Sequence, residues 1–182
     1  MRSRALIAGV AMLGLASGCS SAQSSSGQAP SGGSATTPVK PAGWKSVEGG
    51  GYAIYVPSSW TVGPWQPTCG VTVPTVYLGP QGQLPKCTTK ALGAEADIGA
   101  FAYSGTQKPV TKTINGLTAY EVTTTVPVTG PPAGTVTEAW VRVYGPSHPH
   151  GFYFYVGDSP DMPGGGPGMA EKIIDTIHAI TP

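Results

Sequence analysis

Short runs of β-branched and aromatic residues alternate with glycine and proline along residues 44–182, a pattern typical of a protein built mainly from β-strands. Asn115-Gly116 separates two of these runs and favours a tight type I′ hairpin, because both residues readily adopt positive φ. Residues 130–134 favour a second, longer hairpin connection, and successive hairpins produce an antiparallel sheet. The pattern predicts strands at Tyr52–Val56, Val71–Leu78, Ile98–Tyr103, Val110–Ile114, Leu117–Val126, Thr135–Tyr144 and Phe152–Val156.

One helix is predicted, near the C-terminus, from about Gly168 to Ile180. Pro167 and Glu171 suit its first turn, and its apolar residues share one face at helical spacing: Ala170, Ile173, Ile174, Ile177 and Ile180. We expect this face to pack on the small residues that alternate along one predicted strand: Thr137, Ala139, Val141 and Val143. The predicted fold class is therefore α+β, an antiparallel sheet of about six to seven strands with a C-terminal helix on one face; the alternative is a mostly-β sandwich.

The opposite face of that strand carries Trp140 and Tyr144, and Tyr153 and Tyr155 follow in the next strand. These amphipathic rings form a possible binding face for a glycan, a lipid or a protein if the face is open. The alternative is that the N-terminal part of the domain covers them with its own tryptophans, Trp44, Trp60 and Trp65.

The first eighteen residues have the layout of a secretory signal peptide. Arg2 and Arg4 precede an uncharged apolar stretch that ends in small residues, and this stretch is too short to span a bilayer. Residues 15–19, Leu-Ala-Ser-Gly-Cys, resemble the bacterial lipobox, with Ala16 where leucine is commonest. We expect cleavage before Cys19 and lipid attachment to its thiol, which anchors the chain at the extracytoplasmic face of the cell membrane.

Residues 19–43 are predicted to be the lipidated cysteine followed by a flexible tether. The segment is rich in Ser, Gly, Ala and Pro, has no aromatic residue, and buries too little apolar surface to fold. Its typical reach is about 25–30 Å. Residues 44–182 are long enough for one domain with its own core, and no second linker interrupts them.

Cys69 and Cys87 are the two cysteines that remain once Cys19 carries lipid. In an exported protein such a pair most often forms a disulfide, which closes a loop of about 19 residues and contributes roughly 3 kcal/mol. The alternative is a metal or redox pair, although the spacing is not that of a C-x-x-C motif.

Charge and motifs exclude several function classes. Removal of residues 1–18 leaves eight basic against nine acidic side chains, without the basic patch of a nucleic-acid binder. His148 and His150 fit an exposed loop better than a metal site, and the glycine-rich stretch 158–168 fits a strand-to-helix connection better than a phosphate or calcium loop. No nucleophile motif occurs, so we predict no catalytic residue, no metal and no cofactor.

Three features in order along the chain resemble the Mog1/PsbP-like superfamily of small α+β domains. They are the strand-Pro-x-x-Trp opening at residues 52–60, the hairpin at 113–120, and the closing helix at 170–174. Members of this superfamily usually carry another helix in the region of Gly79–Asp97, which in this chain contains helix breakers. Because the superfamily has no shared catalytic constellation, the resemblance implies a scaffold for binding or assembly.

These observations predict a membrane-anchored lipoprotein that is a non-catalytic binding or accessory module of the cell envelope. Its predicted partners are the membrane, through the N-terminal lipid, and an envelope component or protein of unknown identity. The alternative is an envelope hydrolase with an unrecognised acid/base or metal site. A single cleft that brings together Glu138, His148, His150 and Asp158 would favour the hydrolase.

Overall fold

The computed structural model describes residues 35–65, 73–79, 94–100, 102–128, 134–145 and 148–180. These residues form two β-sheets and one short helix, α1, at Met169–Ile174. The small sheet has the order β1-β2-β10, and the large sheet has the order β3-β4-β5-β9-β8-β7-β6. The strands are β1 Trp44–Gly49, β2 Tyr52–Pro57, β3 Thr61–Pro64, β4 Thr75–Leu78, β5 Glu95–Ile98, β6 Val110–Ile114, β7 Leu117–Val128, β8 Gly134–Gly145, β9 His148–Asp158 and β10 His178–Ala179.

The predicted hairpins form half of the large sheet. Strands β6, β7, β8 and β9 follow one another in sequence and pair antiparallel with their neighbours. Asn115 and Gly116 both have positive φ, 47° and 80°, as the predicted tight turn between β6 and β7 requires. The predicted antiparallel pairing of these strands is therefore confirmed, although residues 129–133 of the second hairpin connection lie outside the described residues.

The prediction of an antiparallel sheet is wrong for the other half. β3, β4 and β5 pair parallel to one another, and only β5 meets β9 in antiparallel fashion. The connections between these strands, residues 65–74 and 79–94, are long enough to return the chain to the same end of the sheet. Sequence neighbours joined by such long segments need not form hairpins.

The strand predicted at Ile98–Tyr103 is also wrong, because β5 ends at Ile98. Gly99 follows with a φ of 91°, which turns the chain out of the sheet. β4 begins at Thr75, later than predicted, and the first two residues of the predicted strand, 71 and 72, lie outside the described residues.

The C-terminal helix ends six residues before its predicted end. The Thr176 hydroxyl donates to the Ile173 carbonyl at 2.6 Å and accepts the Tyr55 amide at 2.8 Å, which ties the chain to β2. His178 and Ala179 then pair with β2 as strand β10. A backbone that hydrogen-bonds to the edge of a sheet cannot continue a helix, although Ile177 remains buried as the apolar pattern required.

One hydrophobic core lies between the large sheet and a second layer made of the small sheet and α1. We call the side of the large sheet that meets this core the core face. It includes the predicted small residues Ala139, Val141 and Val143, each at most 1% exposed. The helix contributes the buried side chains of Ala170, Ile173 and Ile174, so the predicted packing of helix on small residues is confirmed.

Trp44 and Trp60 belong to this core and not to the opposite side of the large sheet. Trp60 is 1% exposed within the core cluster, and Trp44 packs against the same cluster. The expectation that they cover Trp140 and its neighbours is therefore wrong. In the part of the chain that the structure describes, no helix has the length and apolar character needed to cross a bilayer.

Candidate functional site

The side of the large sheet that faces away from the core carries most of the tyrosines, and we call it the aromatic face. Trp140 pairs with Tyr155 across β8 and β9, and Arg142 pairs with Tyr153 one step along. On the other flank of β8, Arg142 pairs with Tyr120 of β7. Because paired residues of an antiparallel ladder point to the same side, all these side chains share one face, as predicted for Trp140, Tyr144, Tyr153 and Tyr155.

Trp140 lies at the centre of a short row of rings. The Tyr155 ring centroid is 4.9 Å from that of Trp140, and the Tyr103 centroid is 5.1 Å away on the other side. All three rings are partly exposed. Partly exposed Trp and Tyr residues of this kind are common in binding surfaces, because they combine an apolar ring with a polar atom.

Arg142 and three tyrosines form the second part of the face, which we call the arginine–tyrosine cluster: Arg142, Tyr120, Tyr144 and Tyr153. The guanidinium carbon of Arg142 lies 4.7 Å from the Tyr144 ring centroid and 5.3 Å from that of Tyr153. The Tyr120 and Tyr144 rings meet edge to face at 5.5 Å. Arg142 Nη2 donates to the carbonyl of His150, and no carboxylate of the described residues lies within ion-pair distance of Arg142.

The tyrosine hydroxyls of this cluster are close enough to influence the pKa of Tyr144. Burial raises the pKa of Tyr144, the positive charge of Arg142 opposes that shift, and the neighbouring phenols of Tyr153 and Tyr120 add to it. Three hydroxyls and a guanidinium therefore gather at one place on the sheet. Such a group of donors is suited to bind a ligand rich in oxygen acceptors.

Carboxylates occupy the other end of the aromatic face. Asp97 of β5 pairs with Tyr155, Glu95 lies two residues before it, and Glu138 lies two residues before Trp140. The Tyr155 hydroxyl donates to Glu138 Oε1 at 3.4 Å. Burial, the charges of Glu95, Glu138 and Asp97, and a hydrogen bond with Glu95 raise the pKa of Tyr155 well above its ordinary value. The partly exposed Glu138 thus lies at the Tyr155 end of the face, where Asp97 is buried, and Arg142 lies on the other side of Trp140 along β8.

One described segment crosses this face, the connection between β5 and β6. Tyr103 packs on Trp140, and the Gln107 amide donates to the Thr124 hydroxyl at 3.4 Å. The residues between them are exposed. The segment therefore borders the row of rings at Trp140 and contributes one ring to it.

The four residues on which the hydrolase hypothesis depends do not come together. Glu138 lies on the aromatic face, whereas His148 packs beside the rings of Tyr52 and Phe152. His150 is exposed, and Asp158 is at the far end of β9 from His148, about 30 Å away at the rise of a strand. This dispersal removes the candidate acid/base cluster that the sequence offered.

Asp158 holds the connection from β9 to α1 in place. It is 3% exposed, and its Oδ1 accepts the Gly166 amide at 3.2 Å. Burial raises the pKa of the Asp158 carboxyl, and hydrogen bonds from the amides of Gly166, Ala170, Met169 and Ser159 oppose the shift. The stretch 158–168 is therefore a connection organised around a buried carboxylate, in agreement with the prediction for this segment.

A cleft of about 260 Å³ opens on the other side of the sheet, between β7, β8 and α1. Two of its three acidic groups, Glu121 and Asp158, have protein partners: Glu121 pairs with Lys112 at 2.9 Å and accepts the Thr123 hydroxyl at 2.8 Å. Asp158, also in its wall, is held by backbone amides. We conclude that these groups have structural roles.

The site predicted from the sequence did not include Arg142, Tyr103 or Tyr120. Only the strand register and the path of residues 102–109 bring these side chains together. Cys19, Cys69 and Cys87 lie outside the described residues, and within those residues no group of His, Cys, Asp and Glu is arranged to hold a metal ion. Comparisons of the chain with protein-family models, with curated proteins and with solved structures found no match.

Proposed function

We propose that this chain is a lipoprotein anchored at the extracytoplasmic face of the cell membrane, and that its domain is a non-catalytic binding or accessory module of the cell envelope. The signal-like residues 1–18 and the lipobox-like segment ending at Cys19 support the address. The resemblance to Mog1/PsbP-like domains at residues 52–60, 113–120 and 170–174 supports a binding scaffold.

The observation that carries the binding function is the aromatic face of the large sheet. A partly exposed surface made of Trp140, five tyrosines and an arginine has the composition of binding surfaces, in which Trp, Tyr and Arg are enriched. The other side of the same sheet is filled by the core. The large sheet therefore has one side for stability and one side for contact.

The path of the N-terminal segment supports display of this face. The Thr36 amide donates to the Asn115 carbonyl at 2.9 Å, beside the β6–β7 turn. The Tyr55 hydroxyl donates to the Pro38 carbonyl at 3.4 Å, and Tyr55 alternates with the core residues Ile54 and Val56, so it points away from the core. The segment thus lies against the small sheet, on the side of the domain opposite the aromatic face. An anchor attached through it leaves the aromatic face turned away from the attachment point.

Cys19→Ser tests the anchor. We expect wild-type protein to enter the detergent phase of a membrane extract with a lipidated cysteine as its first residue, and the variant to lose both properties. Detergent-phase partition and mass spectrometry of the mature N-terminus provide the measurement. Wild-type protein that keeps residues 1–18, or that is recovered from the cytosol, contradicts the proposed address.

Trp140→Ala tests the binding face. We expect the full chain in detergent to co-sediment with insoluble envelope material and the variant to lose most of this retention, because it lacks the central ring. Lys172→Ala changes an exposed residue of α1 on the other side of the sheet and is the matched control. Thermal unfolding verifies that each variant is folded, and Tyr144→Ala provides a second change on the same face. Retention that is unaffected by both aromatic substitutions contradicts the proposal.

A further inference from the structure

We propose that the arginine–tyrosine cluster binds the carboxylate of an acidic glycan whose sugar rings lie along the aromatic face. This inference rests on the proposed binding function and names its ligand class. It assigns Arg142, together with the hydroxyls of Tyr120, Tyr144 and Tyr153, as the group that recognises the charge.

The protein holds the Arg142 guanidinium in one orientation. Its guanidinium stacks on two tyrosine rings, which fix its plane, and one nitrogen is bound to the His150 carbonyl. No carboxylate of the described residues pairs with its charge, and the residue is partly exposed. An oriented, unpaired guanidinium is the preferred protein group for binding a carboxylate, because its planar N–H groups match the carboxylate oxygens.

Three tyrosine hydroxyls belong to the same cluster as the Arg142 guanidinium. Tyr120 is the cross-strand neighbour of Arg142 on β7, Tyr153 is its neighbour on β9, and Tyr144 follows it on β8. Each phenol can donate a hydrogen bond to an anionic oxygen while its ring supports the arginine or a second ring. The cluster thus offers both charge and several neutral donors.

The rest of the face favours a sugar as the carrier of that anion. Trp140 lies two residues from Arg142 along β8, about 7 Å away, a separation on the scale of one sugar residue. The row Tyr103, Trp140 and Tyr155 offers ring surface on which the C–H face of a sugar can stack. The Glu138 carboxylate beside it is an acceptor for sugar hydroxyls.

Charge argues against an anionic lipid surface as the occupant. The Glu138 carboxylate is partly exposed on the same face, and it is repelled by the negative potential of a membrane surface. A polymer with spaced carboxylates can place one of them at Arg142 and its neutral hydroxyls at the acidic end. The charge pattern of the face therefore matches an acidic glycan.

The test uses the full chain in detergent and follows quenching of tryptophan fluorescence. The probe is a galacturonic acid oligomer, compared with a neutral malto-oligosaccharide of equal length, poly-L-glutamate with an equal number of carboxylates, and phosphatidylglycerol vesicles. We expect the acidic oligomer to bind most tightly, and we expect its binding to weaken as ionic strength rises.

Arg142→Gln is expected to weaken binding of the acidic oligomer by about tenfold or more, because it removes a charge-assisted hydrogen bond. Tyr144→Phe keeps the ring packed on Arg142 and removes the hydroxyl, and we expect a weakening of about two- to tenfold. Lys172→Ala removes a positive charge on the other side of the sheet and should leave binding unchanged. Since Tyr144→Phe preserves the packing, it keeps the test decisive even if Arg142→Gln destabilises the domain.

Several results overturn the inference while leaving the proposed function intact. If the neutral oligomer binds as tightly as the acidic oligomer, charge does not determine binding. If poly-L-glutamate binds as tightly as the acidic oligomer, the sugar does not determine binding. Vesicle binding that disappears in Arg142→Gln assigns the cluster to a lipid headgroup. Loss of envelope retention in Trp140→Ala without any binding of the acidic oligomer gives the face another ligand. The proposed function fails separately, when retention is the same in wild type and both aromatic variants.

Discussion

Asn115 combines a backbone role with a side-chain role. Its φ of 47° belongs to the left-handed region that a tight hairpin needs. Its Nδ2 donates to the carbonyls of Asp175 and Ile177 at 2.8 and 2.9 Å, just beyond the end of α1. Carbonyls at a helix end have no partner within the helix, so this amide links the β6–β7 turn to the C-terminal segment.

Asn115→Gly separates these two roles, because glycine adopts the same φ but has no side-chain amide. We expect the free energy of unfolding to fall by about 1–3 kcal/mol through the loss of two hydrogen bonds. Urea unfolding followed by tryptophan fluorescence measures the change. Gln107→Ala removes an amide from an exposed site and should change stability by less than about 0.5 kcal/mol. Equal stability of Asn115→Gly and wild type would show that the link has no energetic weight.

At the scale of elements, the connection from β9 to α1 depends on one buried carboxyl group. Asp158 ends β9, and the amides that it accepts are those of the adjacent Ser159 and of residues just before and within the first turn of α1. The helix therefore begins at Met169 with its first amides already facing a carboxylate of the same chain. The pKa of this carboxyl is raised above 3.8 because burial outweighs the amide hydrogen bonds.

Asp158→Asn tests this assignment through the pH dependence of stability. The pKa of the Asp158 carboxyl is higher in the folded protein than in the unfolded chain, so the folded state binds the proton more tightly. The contribution of this carboxyl to the free energy of unfolding is therefore complete below the unfolded pKa. Wild-type stability due to this group should therefore fall as pH rises from about 4 through the raised pKa, and this part of the profile should vanish in the variant.

Urea unfolding at a series of pH values supplies the measurement. Asp161→Asn is the matched control, since this carboxylate lies in the same connection but is exposed. Its profile should resemble that of wild type. An Asp158→Asn profile that also resembles wild type contradicts the role of Asp158.

At the scale of the whole molecule, the two sides of the large sheet are used differently. The core face meets the small sheet and α1, while the aromatic face has only residues 102–109 across it among the described segments. The N-terminal segment approaches from the side of the small sheet. Under the proposed function, stability, attachment and contact therefore belong to different sides of one domain.

The predicted Cys69–Cys87 disulfide also belongs to this scale, because it joins segments on either side of β4 in the chain. We expect no free thiol at these positions in the unreduced protein and a loss of roughly 3 kcal/mol of stability on reduction. Thiol titration of the unfolded protein and urea unfolding with and without reductant measure these effects. Cys19→Ser is the control, since it should leave the reduction effect unchanged. Two titratable thiols in unreduced protein contradict the pairing.

The sequence by itself determined the local features. Alternation along residues 135–144 assigned small residues to the core and aromatic residues to the other side, since side chains of a strand point to opposite faces in turn. Asn115-Gly116 determined a hairpin because few other residue pairs adopt its backbone conformation at low cost. The sharing of one face by Trp140 and Tyr144 was predictable for the same reason, whereas their position beside Tyr153 and Tyr155 depends on the register of β8 with β9.

Only the tertiary structure decided the features that depend on distant partners. The helix ends at Ile174 because β2 offers hydrogen bonds to His178 and Ala179. The spacing of the isoleucines cannot predict this pairing with a distant strand. The parallel pairing of β3, β4 and β5 depends on where long connections return. The arginine–tyrosine cluster exists because register brings Tyr120, Arg142 and Tyr153 side by side from three strands. Local propensity acts over a few residues, whereas these contacts join residues far apart in the chain.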